Sequence, residues 1–301
     1  MRQWLIILTL LLLLILEIKF FSQLNLALVG FNFQPQPLPL VNQFIDPPDL
    51  TAKSALVIDV ASGRLLFQKN PHLKLHPASI TKMVTAIVAL ETYPLDEVVV
   101  VSQSYPVGRN MALQAGEKIL IRDLIYGLLA HSANDAAFVL AGQEEKRIKN
   151  FIKRMNNFII QLGLENTNFT NFDGEDDLNH YSTAFDLAHL ARRALRNNVF
   201  VRAIQTKEMK VTDIENKIIH HLVATNELLG LISEVKGIKT GWTPKAGECF
   251  IGLIELDNHQ LVTVVLASDN RFAETKKLIQ WVKEAVSWQD YSVHSTEMAG
   301  T

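Results

Sequence analysis

The feature that most constrains the fold is the position of the strand patterns, which stand at both ends of the main region while helical patterns fill its middle. Residues 55–60 and 64–67 are apolar runs separated by a glycine turn, which predicts a two-strand hairpin. Residues 247–256 and 261–267 form a second such pair of runs around a turn at Asp257-Asn258. Because strands need partners, the two hairpins predict one sheet built from both ends of the chain, beside a helical lobe.

Helical periodicity dominates between the two hairpins. A long helical pattern opens at Pro77-Ala78-Ser79, and apolar residues then recur at helical spacing. Further helices are predicted over residues 121–129, 134–142, 146–162 and 183–197, with a closing helix over 271–288.

The N-terminal region predicts export rather than folding with the domain. An apolar run from Trp4 to Leu16 would be about 20 Å long as a helix, shorter than the roughly 30 Å core of a bilayer. No small-residue cleavage motif follows, so residues 1–22 are predicted to be an uncleaved signal anchor, with a cleaved signal peptide as the alternative. The protein is then expected at the outer face of the cytoplasmic membrane, or in the cell wall or periplasm after cleavage.

The remaining boundaries follow from composition. Residues 23–51 contain repeated prolines and predict an extended linker. The folded domain is predicted over residues 52–288, and residues 289–301 form a short polar tail.

Charge and cysteine usage exclude several classes of function. The formal net charge is −2, whereas a nucleic-acid partner usually requires a basic face. Cys249 stands alone, which excludes an intrachain disulfide and argues against a thiolate metal site. The histidines are scattered without the spacing of a zinc helix. No cofactor, metal or nucleic acid is therefore expected.

Ser79-Ile80-Thr81-Lys82 is the first motif with chemical potential. Three residues make about one helical turn, so the Ser79 hydroxyl and the Lys82 amine can lie on one face. A lysine can deprotonate a serine only when it is neutral, so burial and nearby positive charge would have to lower its pKa from about 10.4 to near 7. Read alone, the motif fits equally well a serine that caps a helix beside a solvated lysine.

Two further motifs supply amine, hydroxyl and amide groups. Lys239-Thr240-Gly241 is predicted to start a strand at the sheet edge, where it can hold a carboxylate and let a substrate backbone come close. A β-turn with a surface lysine is the alternative. Ser132-Ala133-Asn134 lies between two helical patterns, where its side chains can relay a proton and hold a carbonyl, or simply cap a helix.

In this order, the three motifs resemble those of the serine penicillin-recognising enzymes. The chain is most similar to the low-molecular-weight penicillin-binding proteins that are D-alanyl-D-alanine carboxypeptidases, serine peptidase family S11, over about residues 52–288. Other stretches that resemble this family are Asn171-Phe172-Asp173-Gly174, His180-Tyr181-Ser182-Thr183-Ala184, Ala224-Thr225-Asn226-Glu227-Leu228-Leu229 and Ala246-Gly247-Glu248-Cys249. The resemblance implies an α/β (α+β) two-lobed serine β-lactamase/transpeptidase-like fold, in which helices flank an antiparallel sheet and form a separate lobe.

The resemblance also implies the reaction. Ser79 would attack the penultimate D-alanine carbonyl of a peptidoglycan stem peptide, release the last D-alanine and form an acyl-enzyme that water hydrolyses. Lys82 would be the base, and Ser132 would relay the proton to the leaving group. β-Lactam antibiotics would be covalent inhibitors.

Substrate binding is implied in the same way. Asn134 would orient the peptide, Lys239 and Thr240 would bind the terminal carboxylate, and Gly241 would allow close approach. The backbone N–H groups of Ser79 and Trp242 would form the oxyanion hole. The family often places an arginine just before the strand predicted at Leu261; this chain has Gln260 there, so the carboxylate would be bound more weakly or by another group.

Other activities use the same motifs. Glu175-Asp176-Asp177-Leu178-Asn179 resembles the Glu-x-x-Leu-Asn signature of Ser-x-x-Lys β-lactamases, although Ala133 stands where those enzymes have aspartate. Endopeptidase action on cross-links would need the same residues. A non-catalytic penicillin-sensing or wall-binding module is a further alternative, but such a module has no need for both Lys82 and Lys239.

Overall fold

The computed structural model describes residues 38–289 and, ahead of them, the helical and exposed residues 13–15, 17 and 19. Most of the predicted signal anchor, the first part of the predicted linker and residues 290–301 lie outside the described residues. In the part of the chain that the structure describes, no helix combines the length and the apolar character needed to cross a membrane.

The strands of the described region form one five-stranded sheet and three two-stranded pairs. They are β1 (Leu38–Val41), β2 (Ser54–Asp59), β3 (Leu65–Lys69), β4 (Val98–Val100), β5 (Lys118–Leu120), β6 (Glu208–Thr212), β7 (Ile219–Val223), β8 (Val235–Thr243), β9 (Gly247–Leu256), β10 (His259–Ser268) and β11 (Val286–Gln289).

The five-stranded sheet joins the two ends of the domain. Its order is β3-β2-β10-β9-β8, and every neighbouring pair is antiparallel. The prediction of one sheet built from both hairpins is confirmed. All six residues of β2 are buried, because Leu56 and Ile58 face one apolar core while Ala55 and Val57 face another. Helices therefore cover both faces of the sheet.

The helices agree with most of the predicted periodicity. They are α1 (Lys82–Thr92), α2 (Ile121–Leu129), α3 (Asn134–Leu140), α4 (Glu145–Gln161), α5 (Ala184–Ala194), α6 (Asn198–Gln205) and α7 (Arg271–Ala285), with a single 3₁₀ turn (Ala78–Thr81) directly before α1. The closing helix is shorter than predicted, because the chain becomes extended at Val286 and continues as β11. α6 was not predicted.

The folded unit begins earlier than the predicted boundary at residue 52. β1 pairs with β11, with Leu38 opposite Gln289. Further along, the buried Glu274 carboxylate accepts hydrogen bonds from the backbone N–H groups of Thr51 and Ala52. The prolines that predicted a linker require extended chain, which is also the conformation of an edge strand. Residues 38–51 are thus bound to the domain rather than acting as a spacer.

Candidate active site

Ser79 and Lys82 lie next to each other where the 3₁₀ turn meets α1. Lys82 is the first residue of α1, and its Nζ donates a hydrogen bond to Ser79 Oγ at 3.0 Å. The Lys82 side chain is completely buried. Neither the 3₁₀ turn nor α1 has a side-chain N-cap. The alternative of a capping serine beside a solvated lysine therefore does not describe this pair.

The surroundings of Lys82 favour its neutral form. Its Nζ also donates to the backbone oxygen of Asp173 at 2.6 Å. Burial lowers the pKa of Lys82 to about 8, although the negative charges of Asp173 and Glu175 act in the opposite direction. At pH 7 a lysine with this pKa is neutral in about one molecule in ten. That fraction is sufficient for a base that is regenerated in each reaction.

The lowered pKa predicts how acylation depends on pH. Neutral Lys82 is the form that accepts a proton, so the rate of Ser79 acylation should rise about tenfold per pH unit below 8 and level off above about pH 8 to 9. Rates of covalent labelling by a fluorescent penicillin between pH 5.5 and 9.5 would measure this. A rate that falls as the pH rises through 8 would contradict the role of Lys82 as base.

Lys239 and Ser132 form a second lysine–serine pair from distant parts of the chain. Lys239 on β8 donates to Ser132 Oγ at 2.8 Å and to the backbone oxygen of Thr240 at 3.0 Å. Lys239 is 1% exposed, and burial, followed by the positive charge of Lys82, lowers its pKa well below the usual range. Neither a surface lysine nor a helix-capping serine describes this pair, because α3 begins after Ala133 without a side-chain cap.

The Ser132-Ala133-Asn134 motif is fixed in place by the segment that precedes α2. The Asp135 carboxylate accepts hydrogen bonds from the N–H groups of Met111 and Leu113, both at 3.0 Å. The Asn134 N–H donates to the Arg109 oxygen at 2.7 Å. Ser132 itself has a φ of +64°, in the left-handed region that is unfavourable for a residue with a Cβ. These bonds fix the start of α3 and thus the direction of the Ser132 and Asn134 side chains.

Gly241 allows β8 to lie directly against the nucleophile. A Cβ at this position would be 3.0 Å from the Pro77 oxygen and 3.2 Å from the Ser79 nitrogen, tighter than ordinary contact. Trp242 follows with its side chain 60% exposed, and Thr240 Oγ1 lies 2.6 Å from Thr225 Oγ1. The edge of β8 and the backbone of Ser79 therefore form two sides of a narrow gap.

These groups meet in one cleft with a volume of about 580 Å³. The residues predicted from sequence that line it are Ser79, Ser132, Asn134, Thr240, Gly241 and Trp242, with Lys82 and Lys239 buried behind the serines. Glu175, from the stretch that resembles a β-lactamase signature, also lines it, as do Ala224, Thr225 and Glu227, from a stretch that resembles the family. The sequence did not single out the rest of the lining, which is Gly108, Arg109, Thr243, Pro244 and Arg271.

Arg271 lines the cleft, whereas Gln260 does not. Gln260 is exposed on β10 and pairs with Glu255, outside the cleft. Arg271 is the first residue of α7, and its Nη1 donates to the Gly241 oxygen at 2.8 Å. Its buried Nε has no hydrogen-bond acceptor. Arg271 is therefore a positive group of the cleft that follows β10, where Gln260 supplies none.

Comparisons with known proteins agree with this geometry. Residues 42–270 match the family described as Peptidase_S11, D-alanyl-D-alanine carboxypeptidase. The chain belongs to this family. The predicted family, the fold class and the enzyme class, a serine-type D-alanyl-D-alanine carboxypeptidase, are confirmed.

Individual relatives show how far the similarity extends. The D-alanyl-D-alanine carboxypeptidase DacA of Haemophilus influenzae is 31% identical over 88% of this chain and 69% of its own length. DacF of Bacillus subtilis is 29% identical over 81% of this chain, which spans 64% of that relative. The crystal structure of the Streptomyces K15 DD-transpeptidase superposes with a TM-score of 0.76 at 29% identity, covering 80% of this chain and 100% of that one.

Proposed function

We propose that this S11 family member removes the terminal D-alanine from peptidoglycan stem peptides, with Ser79 as nucleophile and Lys82 as its base. The observation that carries the proposal is the 3.0 Å hydrogen bond between the completely buried Lys82 amine and Ser79 Oγ. Burial of the amine is what makes a lysine available as a base near neutral pH. The Ser79 oxygen attacks the penultimate carbonyl, and its proton passes to Lys82.

The tetrahedral intermediate needs stabilisation of its negative oxygen and a proton for the departing amine. The backbone N–H groups of Ser79 and Trp242 serve as the oxyanion hole, which the close approach of Gly241 to Ser79 supports. Ser132 delivers the proton to the leaving D-alanine nitrogen, and Lys239, 2.8 Å from Ser132 Oγ, supports this transfer. Asn134 orients the peptide on the opposite side.

The terminal carboxylate of the substrate is bound by Thr240, Lys239 and Arg271. A guanidinium group binds a carboxylate well, and Arg271 lines the cleft. Arg271→Gln is expected to raise KM for a D-Ala-D-Ala peptide by about 10- to 100-fold while changing kcat much less, because the reacting atoms are not touched. Steady-state kinetics would measure both constants, and a lower kcat at unchanged KM would contradict a binding role.

The same site explains reaction with β-lactams, since their ring carbonyl presents Ser79 with an acyl group next to a carboxylate. Export and a membrane tether through residues 1–22 are part of the proposal, supported by the apolar run from Trp4 to Leu16. Cell fractionation would test the tether. Recovery of the full chain and of a chain without residues 2–22 in the same soluble fraction would contradict it.

The activity itself is tested by incubating the full chain with a peptide that ends in Lys-D-Ala-D-Ala. Mass spectrometry is expected to show loss of one D-alanine, and Ser79→Ala is the matched inactive control. Cleavage of a cross-linked dimer without release of terminal D-alanine would identify an endopeptidase. Stable penicillin labelling of Ser79 without any peptide cleavage would identify a sensing module.

A further inference from the structure

Hydrolysis of the Ser79 ester requires a group that activates the attacking water. Water attacks an ester rapidly only when a base takes one of its protons, and a carboxylate beside the acyl group is suited to this task. Among the described residues that line the cleft, the acidic ones are Glu175 and Glu227. They come from different parts of the chain, and only one of them belongs to the segment that touches Ser79.

Glu175 belongs to a three-residue stretch that runs along the nucleophile. The Asp173 oxygen accepts the 2.6 Å hydrogen bond from Lys82. Gly174 is pressed against the 3₁₀ turn, since a Cβ there would lie 2.9 Å from the Ser79 nitrogen. Glu175 comes next and lines the cleft with an exposed side chain. Glu175 is therefore the direct neighbour in sequence of Gly174, whose backbone packs against Ser79.

Asn134 of the Ser132-Ala133-Asn134 motif contacts the Glu175 carboxylate. Glu175 Oε1 lies 3.4 Å from Nδ2 of Asn134, the residue that orients the peptide. Gly108 covers this pair, and a Cβ at that position would be 3.5 Å from Glu175 Oε1. The carboxylate thus lies beside the peptide-orienting amide, in the cleft that Ser79 also lines. Its negative charge also acts on Lys82, where it opposes the effect of burial on the pKa.

Glu227 lies in the segment between β7 and β8, on another part of the cleft wall. It follows Thr225, whose hydroxyl contacts Thr240 at 2.6 Å, on the side where the terminal carboxylate binds. After acylation the leaving D-alanine departs from that side. A base located there would repel the substrate carboxylate, whereas Glu175 contacts Asn134 rather than Thr225 or Thr240.

We propose that Glu175 is the general base that activates water for hydrolysis of the acyl-enzyme, and that the enzyme therefore also hydrolyses β-lactams. This inference rests on the proposed function, because it needs the Ser79 ester. The water oxygen bonds to the acyl carbonyl carbon while one water proton passes to the Glu175 carboxylate. The bond between that carbon and Ser79 Oγ then breaks, and the proton returns from Glu175 through Lys82 to the serine oxygen.

The test separates formation of the penicilloyl-enzyme from its loss. The full chain is labelled with a fluorescent penicillin, excess label is removed, and the remaining covalent label is followed with time. Glu175→Gln is expected to form the acyl-enzyme within about threefold of the wild-type rate but to lose it about 10²-fold more slowly or more. Glu175→Asp should recover part of the rate, since it restores a carboxylate.

Asp177→Asn is the matched control, because Asp177 is an exposed residue of the same loop whose carboxylate accepts from the local Asn179 N–H and does not line the cleft. Loss of label at the wild-type rate in Glu175→Gln would overturn the inference, as would a slow release that appears in Glu227→Gln instead. Since Glu175 is exposed, its replacement should not unfold the protein, and normal acylation would demonstrate this. Absence of any Ser79-dependent label would instead refute the proposed function.

Discussion

Lys82→Met is expected to lower the rate of Ser79 acylation by about 10³-fold while leaving the fold intact. The substitution removes the base at 3.0 Å from Ser79 Oγ and keeps a long side chain in the same buried space. The unfolded chain binds the Lys82 proton more tightly than the folded one, in which the pKa is lowered to about 8. At pH 7 this difference disfavours folding by about 3 kcal/mol.

The free energy of unfolding should consequently stay constant or rise by up to about 2 kcal/mol in Lys82→Met, part of the gain being lost with the hydrogen bond to Asp173. Urea denaturation at pH 7 and penicillin labelling would measure the two effects separately. Lys236→Met is the matched control. Lys236 lies on β8, but its side chain is partly exposed and its Nζ makes only a long contact, 4.0 Å, with Glu255 Oε2. Acylation within tenfold of the wild type would exclude Lys82 as the base.

Gly174→Ala is expected to damage both stability and activity. A Cβ at this position would lie 1.9 Å from the Ala78 oxygen, and the φ of +91° is unfavourable for alanine. The loop must therefore move away from the 3₁₀ turn and take the Asp173 oxygen away from Lys82. We expect the free energy of unfolding to fall by roughly 3 kcal/mol or more, and acylation to fall by at least about tenfold.

Gly163→Ala separates the two causes. Gly163 also has a positive φ, +68°, but no atom lies within 4 Å of the position that its Cβ would take. This variant should lose only about 1 kcal/mol, with unchanged labelling of Ser79. Equal destabilisation in Gly163→Ala and Gly174→Ala would show that backbone conformation alone is responsible, and that the contact with Ala78 is unimportant.

The contact between Ser79 and Lys82 was predictable from local spacing, whereas most of the site was not. One turn separates these two residues, so their proximity follows from helix geometry. The contact between Ser132 and Lys239 joins residues 107 positions apart, and only resemblance to a family suggested it. Arg271 was missed for the same reason: its approach to Gly241 depends on where β10 ends and α7 begins.

The β6–β7 hairpin, between α6 and β8, does not show the hydropathy pattern expected of a strand pair. In β7 the buried positions are His220 and Leu222, while the apolar residues Ile219 and Val223 are exposed. His220 is buried because Glu117 and the Met111 oxygen bind its two ring nitrogens, both at 2.7 Å. A hydrogen-bonding partner about a hundred residues away cannot be seen in hydropathy. The β6–β7 hairpin therefore escaped prediction.

The pairing of β1 with β11 places the first and last residues of the domain next to each other. Leu38 and Gln289 face each other across this ribbon, so their Cα atoms are only about 5 Å apart. A turn of a few residues would join them, and the chain could then be opened elsewhere, for example in the β9–β10 turn at Asp257-Asn258, where both residues already have a positive φ. A circular permutant of this design would keep every group of the cleft on its original strand or helix.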